Sequence, residues 1–197
     1  MSKRLFDIVL SSLGLLLLSP LLLALGLWIK LDSPGPVLFR QQRVGRHGVR
    51  FDIHKFRTMR ADAPELGPQI TVGMDARITR SGAWLRRHKL DELPQLWDVL
   101  RGAMSLVGPR PEVPRYVALY PDEVRALVLS VRPGITDLAS IEYLDESAVL
   151  ARAADPERAY VDEVMPAKLA LAARYVQGRS FWGDLKLIAR TLKVILH

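Results

Sequence analysis

The stretch Ile8–Ile29, IVLSSLGLLLLSPLLLALGLWI, carries no charge and constrains the chain more than any other segment. A straight helix of that length, at about 1.5 Å per residue, just crosses a hydrocarbon core of about 30 Å. Two features argue against a simple crossing. Ser19 and Pro20 stand near the middle, and an interior proline removes a backbone hydrogen bond and bends or breaks a helix. Basic residues also flank both ends, Lys3 and Arg4 before the stretch and Lys30, Arg40, Arg43, Arg46 and Arg50 after it, whereas a single span keeps its basic flank on the cytoplasmic side. The expectation is therefore a re-entrant helix-break-helix over residues 1–31, with Ser19 and Pro20 at the break and the Ser19 hydroxyl bonding back toward Leu15. A kinked span and a signal peptide are the alternatives. The second is weakened because no small-residue cleavage site follows Trp28.

With 197 residues, the chain can hold one domain with a real core besides a membrane element. Its net charge of +7 attracts anions, whether nucleic acid, lipid head groups or phosphorylated substrates, and the apolar N-terminal stretch turns that choice toward lipid and phosphate. The absence of cysteine excludes disulfides, thiolate metal sites and cysteine nucleophiles. No repeat or linker-like tract divides the rest, so residues 32–197 read as one domain.

After the turn at Asp32–Pro36, Val37–Val44 and Val49–Met59 have strand composition and are joined through Gly45 and Gly48, as in a hairpin. Residues Arg60–Thr79 read as a long loop. Ser81 is placed to cap a helix running to Leu90, and Asp91 to cap a second from Glu92 to about Arg101. A short strand is expected at Met104–Val107, a helix from Pro121 to Ser130, and a helical segment over Asp155–Gln177 broken before Pro166. Phe181–His197 is amphipathic, with Phe181, Leu185, Ile188, Leu192, Ile195 and Leu196 on one face and a basic stripe beside it. That suits either a helix in the lipid head-group layer or one packed on the core. The fold class is α/β, mainly helical with a small β-hairpin or sheet.

The stretch RRHKLDELPQLW, Arg86–Trp97, sets the adjacent carboxylates Asp91 and Glu92 beside four basic residues. An ionised carboxylate can attack phosphorus to give an acyl phosphate, or bind Mg²⁺ through oxygen. The same pair is also ordinary helix-start chemistry, Asp as cap and Glu in the first turn. Lys55 and Arg57 in KFRTM, Arg110 between two prolines, Arg132 before Pro133, and Arg86 beside the carboxylates offer cations to a shared anion site. For any one of them, a surface or core-rim position is the simpler reading.

KRLFD at the start, Ser19 and Pro20 within the apolar stretch, KFRTM, DELPQ at Asp91–Gln95, SLVGPRPE at Ser105–Glu112 and RPGIT at Arg132–Thr136 occur here in order. Together they closely resemble the bacterial sugar transferases, the monotopic polyprenol-phosphate phosphoglycosyl transferases. The resemblance implies transfer of a sugar phosphate from a UDP-sugar to polyprenyl phosphate, giving polyprenyl diphosphate sugar and UMP in the first membrane step of glycoconjugate synthesis. It also implies Asp91 as the nucleophile of a covalent phosphosugar intermediate and Glu92 in the same dyad. Mg²⁺ would assist, held by Asp91 and Glu92, with Lys55, Arg57, Arg86, Arg110 and Arg132 toward phosphate. The protein would sit at the bacterial inner membrane, its catalytic domain on the cytoplasmic face against anionic phospholipid. A homo-oligomer is compatible with this and no nucleic acid is expected. Asp137 and Ser140 depart from the glycine and glutamine usual in that family, so contacts after Thr136 are not carried over. The rivals are a membrane-anchored basic scaffold without catalysis and, from net charge alone, a nucleic-acid binder.

Overall fold

The computed structural model describes residues 3–63, 75–142 and 150–196. Most of the loop expected over Arg60–Thr79 therefore lies outside the described residues. Helix α1, Lys3–Asp32, is one continuous α-helix with Pro20 in its interior. The helix runs through Ser19 and Pro20, and the expected break there is not shown. Ser19 donates its hydroxyl to the carbonyl of Leu16 at 2.8 Å, three residues back rather than four. By length and composition α1 is able to cross a membrane, and only 11% of its most apolar window is buried inside the protein. Leu5, Val9, Leu13, Leu16, Leu17, Leu23, Leu27 and Leu31 are exposed, and at about 100° per residue they fall on one helical face.

The opposite face of α1 packs on the rest of the chain. Leu25 and Ile29 join Phe56 and Leu85 in a buried cluster, and Gly14 lies so close to Leu96 that an added Cβ would stand 3.1 Å from it. At its C-terminal end Asp32 accepts the backbone N–H of Ser81 at 2.9 Å and its hydroxyl at 2.8 Å. At its N-terminal end Arg4 and Asp7 bond to residues near position 100. Fastened at both ends, α1 runs along the body instead of projecting from it.

Strands β1, Leu38–Val44, and β2, Arg50–Phe56, form the expected antiparallel hairpin, in register Leu38 to Phe56. His47, at φ 58°, takes the left-handed turn conformation between them. Helix α2 covers Arg80–Arg87 and α3 covers Gln95–Arg101. Strand β3, Ser105–Val107, pairs in parallel with β4, Gly134–Thr136. Between these strands lie α4, Pro114–Val117, and α5, Asp122–Val128. The chain then continues through α6, Leu138–Glu142, and α7, Pro156–Ala159. A π-helical turn, Tyr160–Val164, follows, then α8, Met165–Gly178, and α9, Phe181–Leu196. The π turn sits where the sequence places a break before Pro166, which has no N–H to continue the ladder.

The main core joins Val113, Tyr116 and Val128 to Leu150, Tyr160, Val164, Met165 and Leu169. A second cluster packs Val107 and Val131 against Tyr175, Val176 and Leu187. Thus α9 buries Leu187 and Asp184 inward while Phe181, Trp182 and Leu192 are exposed, so each of the two expected roles has part of its surface. The side chains of Ile195 and Leu196 lie outside the described residues.

Candidate active site

The carboxylate pair sits at a turn between two helices. Helix α2 is capped by Thr79, whose hydroxyl accepts the N–H of Gly82 at 3.0 Å. Ser81, the expected cap, is instead buried one position inside and bonded to Asp32. After His88 the chain reverses at Lys89, at φ 56° and ψ 20°, a left-handed conformation uncommon for a residue with a Cβ. The 3₁₀ turn Leu90–Glu92 follows, and α3 begins at Gln95 behind Pro94, which provides no side-chain cap. Asp91 is therefore not the helix cap that composition allows.

Glu92 is bound on both sides. Lys55 of β2 donates to Oε1 at 2.7 Å, and Arg110 reaches the same carboxylate with two nitrogens, one of them to Oε2 at 3.2 Å. Burial alone would penalise the Glu92 anion, but the charges of Arg110 and Lys55 win and hold it well below the usual carboxylate range. Asp91 shifts the other way. Burial and then the neighbouring charge of Glu92 push its carboxyl up, against the charges of Lys55, Arg86 and Arg110. The sequence alone suggests a comfortably ionised Asp91, but desolvation outweighs the nearby cations. Asp91 makes no hydrogen bond or ion pair among the described residues. One carboxylate is neutralised in place and the other left free, more basic than an ordinary aspartate.

Arg86 anchors its Nε on the hydroxyl of Thr58 at 2.9 Å, with its charge acting on Asp91. Lys55, Arg86 and Arg110 thus surround the dyad, three cations against two carboxylates. That leaves a net positive cluster suited to phosphate oxygens. Arg57 and Arg132 are not brought there. The Arg57 guanidinium is buried against the carbonyls of Ile29, Ser33 and Pro34, just where α1 ends. Arg132 donates from Nε to Gly102 at the end of α3, 2.8 Å away. Both arginines satisfy carbonyls left over at helix C-termini, a demand that competes with phosphate for guanidinium. Ser19 and Pro20 lie in the α1 interior, on no described site.

Several positioning groups escape sequence reasoning. Asp98, buried in α3, accepts the His54 backbone N–H at 2.9 Å and lies 2.7 Å from His54 Nδ1, which fixes the Lys55 strand to the helix after the dyad. Glu112 accepts from Arg43 of β1 at 3.0 Å and from the Tyr160 hydroxyl, steadying the proline-flanked loop of Arg110. That loop also needs glycine at its crossing with β4. A Cβ on Gly134 would fall 2.1 Å from the nitrogen of Gly108, and one on Gly108 would fall 2.4 Å from the carbonyl of Arg132. The glycines in GPRP and RPGIT were the available signal, but one sequence does not say which backbone meets which.

A hard divalent cation needs oxygen donors at the dyad. No group of three or more His, Cys, Asp or Glu side chains gathers among the described residues, so a protein-only cage is not built. A free aspartate beside an anion pocket does fit Mg²⁺, which binds through one or two carboxylates and otherwise through water and substrate phosphate. Asp91 is the open donor. Glu92 shares its oxygens with Lys55 and Arg110.

The sequence profile of the bacterial sugar transferase family matches residues 1–197. The UDP-glucose:undecaprenyl-phosphate glucose-1-phosphate transferase of Caulobacter vibrioides is 42% identical over 98% of this chain and 69% of its own length. The undecaprenyl-phosphate glucose phosphotransferase of Komagataeibacter xylinus is 41% identical over 98% of this chain and 35% of its own. The UDP-N-acetylgalactosamine-undecaprenyl-phosphate N-acetylgalactosaminephosphotransferase of Aeromonas hydrophila is 37% identical, the chain spanning 43% of that protein. The chain thus spans less than half the length of two of these three relatives.

Proposed function

The chain belongs to the bacterial sugar transferase family, and from that premise we propose that it transfers a sugar phosphate from a UDP-sugar to a polyprenyl phosphate. In the first step an Asp91 carboxylate oxygen attacks the sugar-bearing phosphorus. The bond from that phosphorus to the bridging oxygen breaks and its electron pair leaves with UMP. In the second step an oxygen of polyprenyl phosphate attacks the same phosphorus, the acyl phosphate bond breaks, and the Asp91 carboxylate returns. The products are polyprenyl diphosphate sugar and UMP.

One observation carries this reading: Glu92 is locked by Lys55 and Arg110 while Asp91 beside it is unpaired among the described residues and raised in basicity. A nucleophile has to be free, and the arginines that offset phosphate charge have to be held in advance. Asp91, with Glu92 beside it, would hold Mg²⁺, whose chemistry there would be to withdraw charge from the diphosphate. Arg86 and Arg110 orient the phosphates, and Glu92 keeps Arg110 and Lys55 from collapsing onto Asp91. The exposed leucine face of α1 supports attachment to the inner membrane, with the dyad on the cytoplasmic side where it meets a soluble nucleotide sugar and a lipid carrier. A basic scaffold would need neither carboxylate.

The purified chain with Mg²⁺ and UDP-glucose or UDP-N-acetylgalactosamine alone should release UMP once per protein and gain the mass of a sugar phosphate. No adduct and no UMP across a wider donor panel would overturn the covalent route.

A further inference from the structure

Two chain segments carry the reacting groups. The turn bearing Asp91 and Glu92 leads into α3, and β3 leads through Gly108 and Pro109 to Arg110. The first two turns of α1 are fastened to both. Arg4 donates from Nη1 to the carbonyl of Val99 at 2.6 Å and from Nη2 to that of Leu100 at 2.8 Å, in the last turn of α3. Asp7, only 2% exposed, accepts the backbone N–H of Leu106 at 3.1 Å. The N–H groups of Ser105 and Gly108 go to the β4 side, to Pro133 and Thr136, so Leu106 faces away and takes its partner from α1. Lys3 pairs with Asp184, and the Tyr175 hydroxyl between them lies 2.8 Å from Asp184 and 3.2 Å from the carbonyl of Val107.

Adhesion of a helix to a domain does not require a buried carboxylate, which is costly to desolvate and which an apolar contact would replace more cheaply. What Asp7 and Arg4 offer instead is direction, since each fixes one of the two segments whose separation sets the distance from Asp91 to Arg110. We propose that Arg4 and Asp7 are positioning residues for the transfer, holding α3 and β3 in register so that the phosphate site is complete only while α1 is seated. This rests on the function proposed above. It assigns to the start of an apolar helix a part in catalysis that hydrophobic anchoring does not contain.

The test uses the full chain in lipid nanodiscs. Asp7→Ala should lower kcat for UMP release by about tenfold or more while donor KM moves by less than about threefold, because misplacement by a fraction of an ångström acts on the transition state. Asp7→Asn should recover most of the rate, since its amide oxygen still accepts the Leu106 N–H. With Arg110→Lys already present, Asp7→Ala should cost less than about twofold, the mark of action through Arg110. Arg4→Lys keeps the charge, loses the two-carbonyl fork, and should behave like Asp7→Ala with the fold intact. Independently of activity, Asp7→Ala should speed deuterium uptake in the peptide spanning 104–112 and leave the β2 peptide unchanged. Rate losses no larger than the loss of folded protein, no recovery with Asn, or unchanged uptake would each overturn the proposal. If the wild-type protein consumes no UDP-sugar, the proposed function fails, and with it any catalytic part for Asp7; the uptake result then reports on the contact alone.

Discussion

At the scale of single residues, the two adjacent carboxylates diverge because, among the described residues, one has partners and the other has none. The raised Asp91 carboxyl binds a proton more readily folded than unfolded, so native stability falls as pH rises past the ordinary aspartate value and the cost is fully present above the raised one. Asp91→Asn should therefore abolish adduct formation while leaving the thermal midpoint equal or higher, as differential scanning fluorimetry would record. The rate of adduct formation should fall on acidification through a pKa above that of a free aspartate, read from a pH profile of the first half-reaction. Glu92 runs oppositely: its stabilisation is present above the ordinary glutamate value and lost as acid protonates it. Glu92→Gln should cost on the order of 2 kcal/mol in urea unfolding by stranding Lys55 and Arg110, and should slow turnover as well. DELPQ places Asp91 and Glu92 side by side in the sequence, but the basic motifs do not say which of the five cations gather around them; the structure brings Lys55, Arg86 and Arg110. Arg57 and Arg132 bond instead to carbonyls at or just past helix ends; a proline neighbour marks a stiff backbone without saying what the guanidinium meets.

At the scale of elements, local patterns carried the β1–β2 hairpin, whose turn glycines and alternating strands need no distant information. They did not carry the parallel pairing of β3 with β4, three residues each, brought together from positions 105 and 134 by contacts no short window contains. Nor did they carry the continuity of α1. Proline removes one hydrogen bond, yet Lys3–Asp32 stays helical, with Leu25 and Ile29 packed on Phe56 and Leu85 beyond it. The β3–β4 crossing is where the fold tolerates least. Gly134→Ala would press a methyl into the backbone of Gly108 and should destabilise by about 1–3 kcal/mol, with a loss of UMP release that exceeds the loss of folded protein because Arg110 follows two residues on. Parallel urea titrations and single-turnover assays would separate the two effects.

At the scale of the whole molecule, the exposed face of α1 and the exposed Phe181 and Trp182 of α9 meet through the edge-on contact of Phe6 with Phe181, ring centroids 5.2 Å apart. Leu16→Lys together with Leu23→Lys should move the protein out of the floating fraction in a liposome gradient without changing its folded core, since both side chains point away from it. The cysteine-free chain makes topology simple to read: single cysteines placed at 3 and 50 should react with an impermeant thiol reagent from the same side of the membrane. The double fastening of α1 also has a consequence for how the protein is made. The helix leaves the ribosome before Val99, Leu106 and Asp184, to which it is tied and which are synthesised roughly a hundred to nearly two hundred residues later. Its leucines must find lipid before they find the protein, and the closing of the phosphate site waits for α9 to arrive.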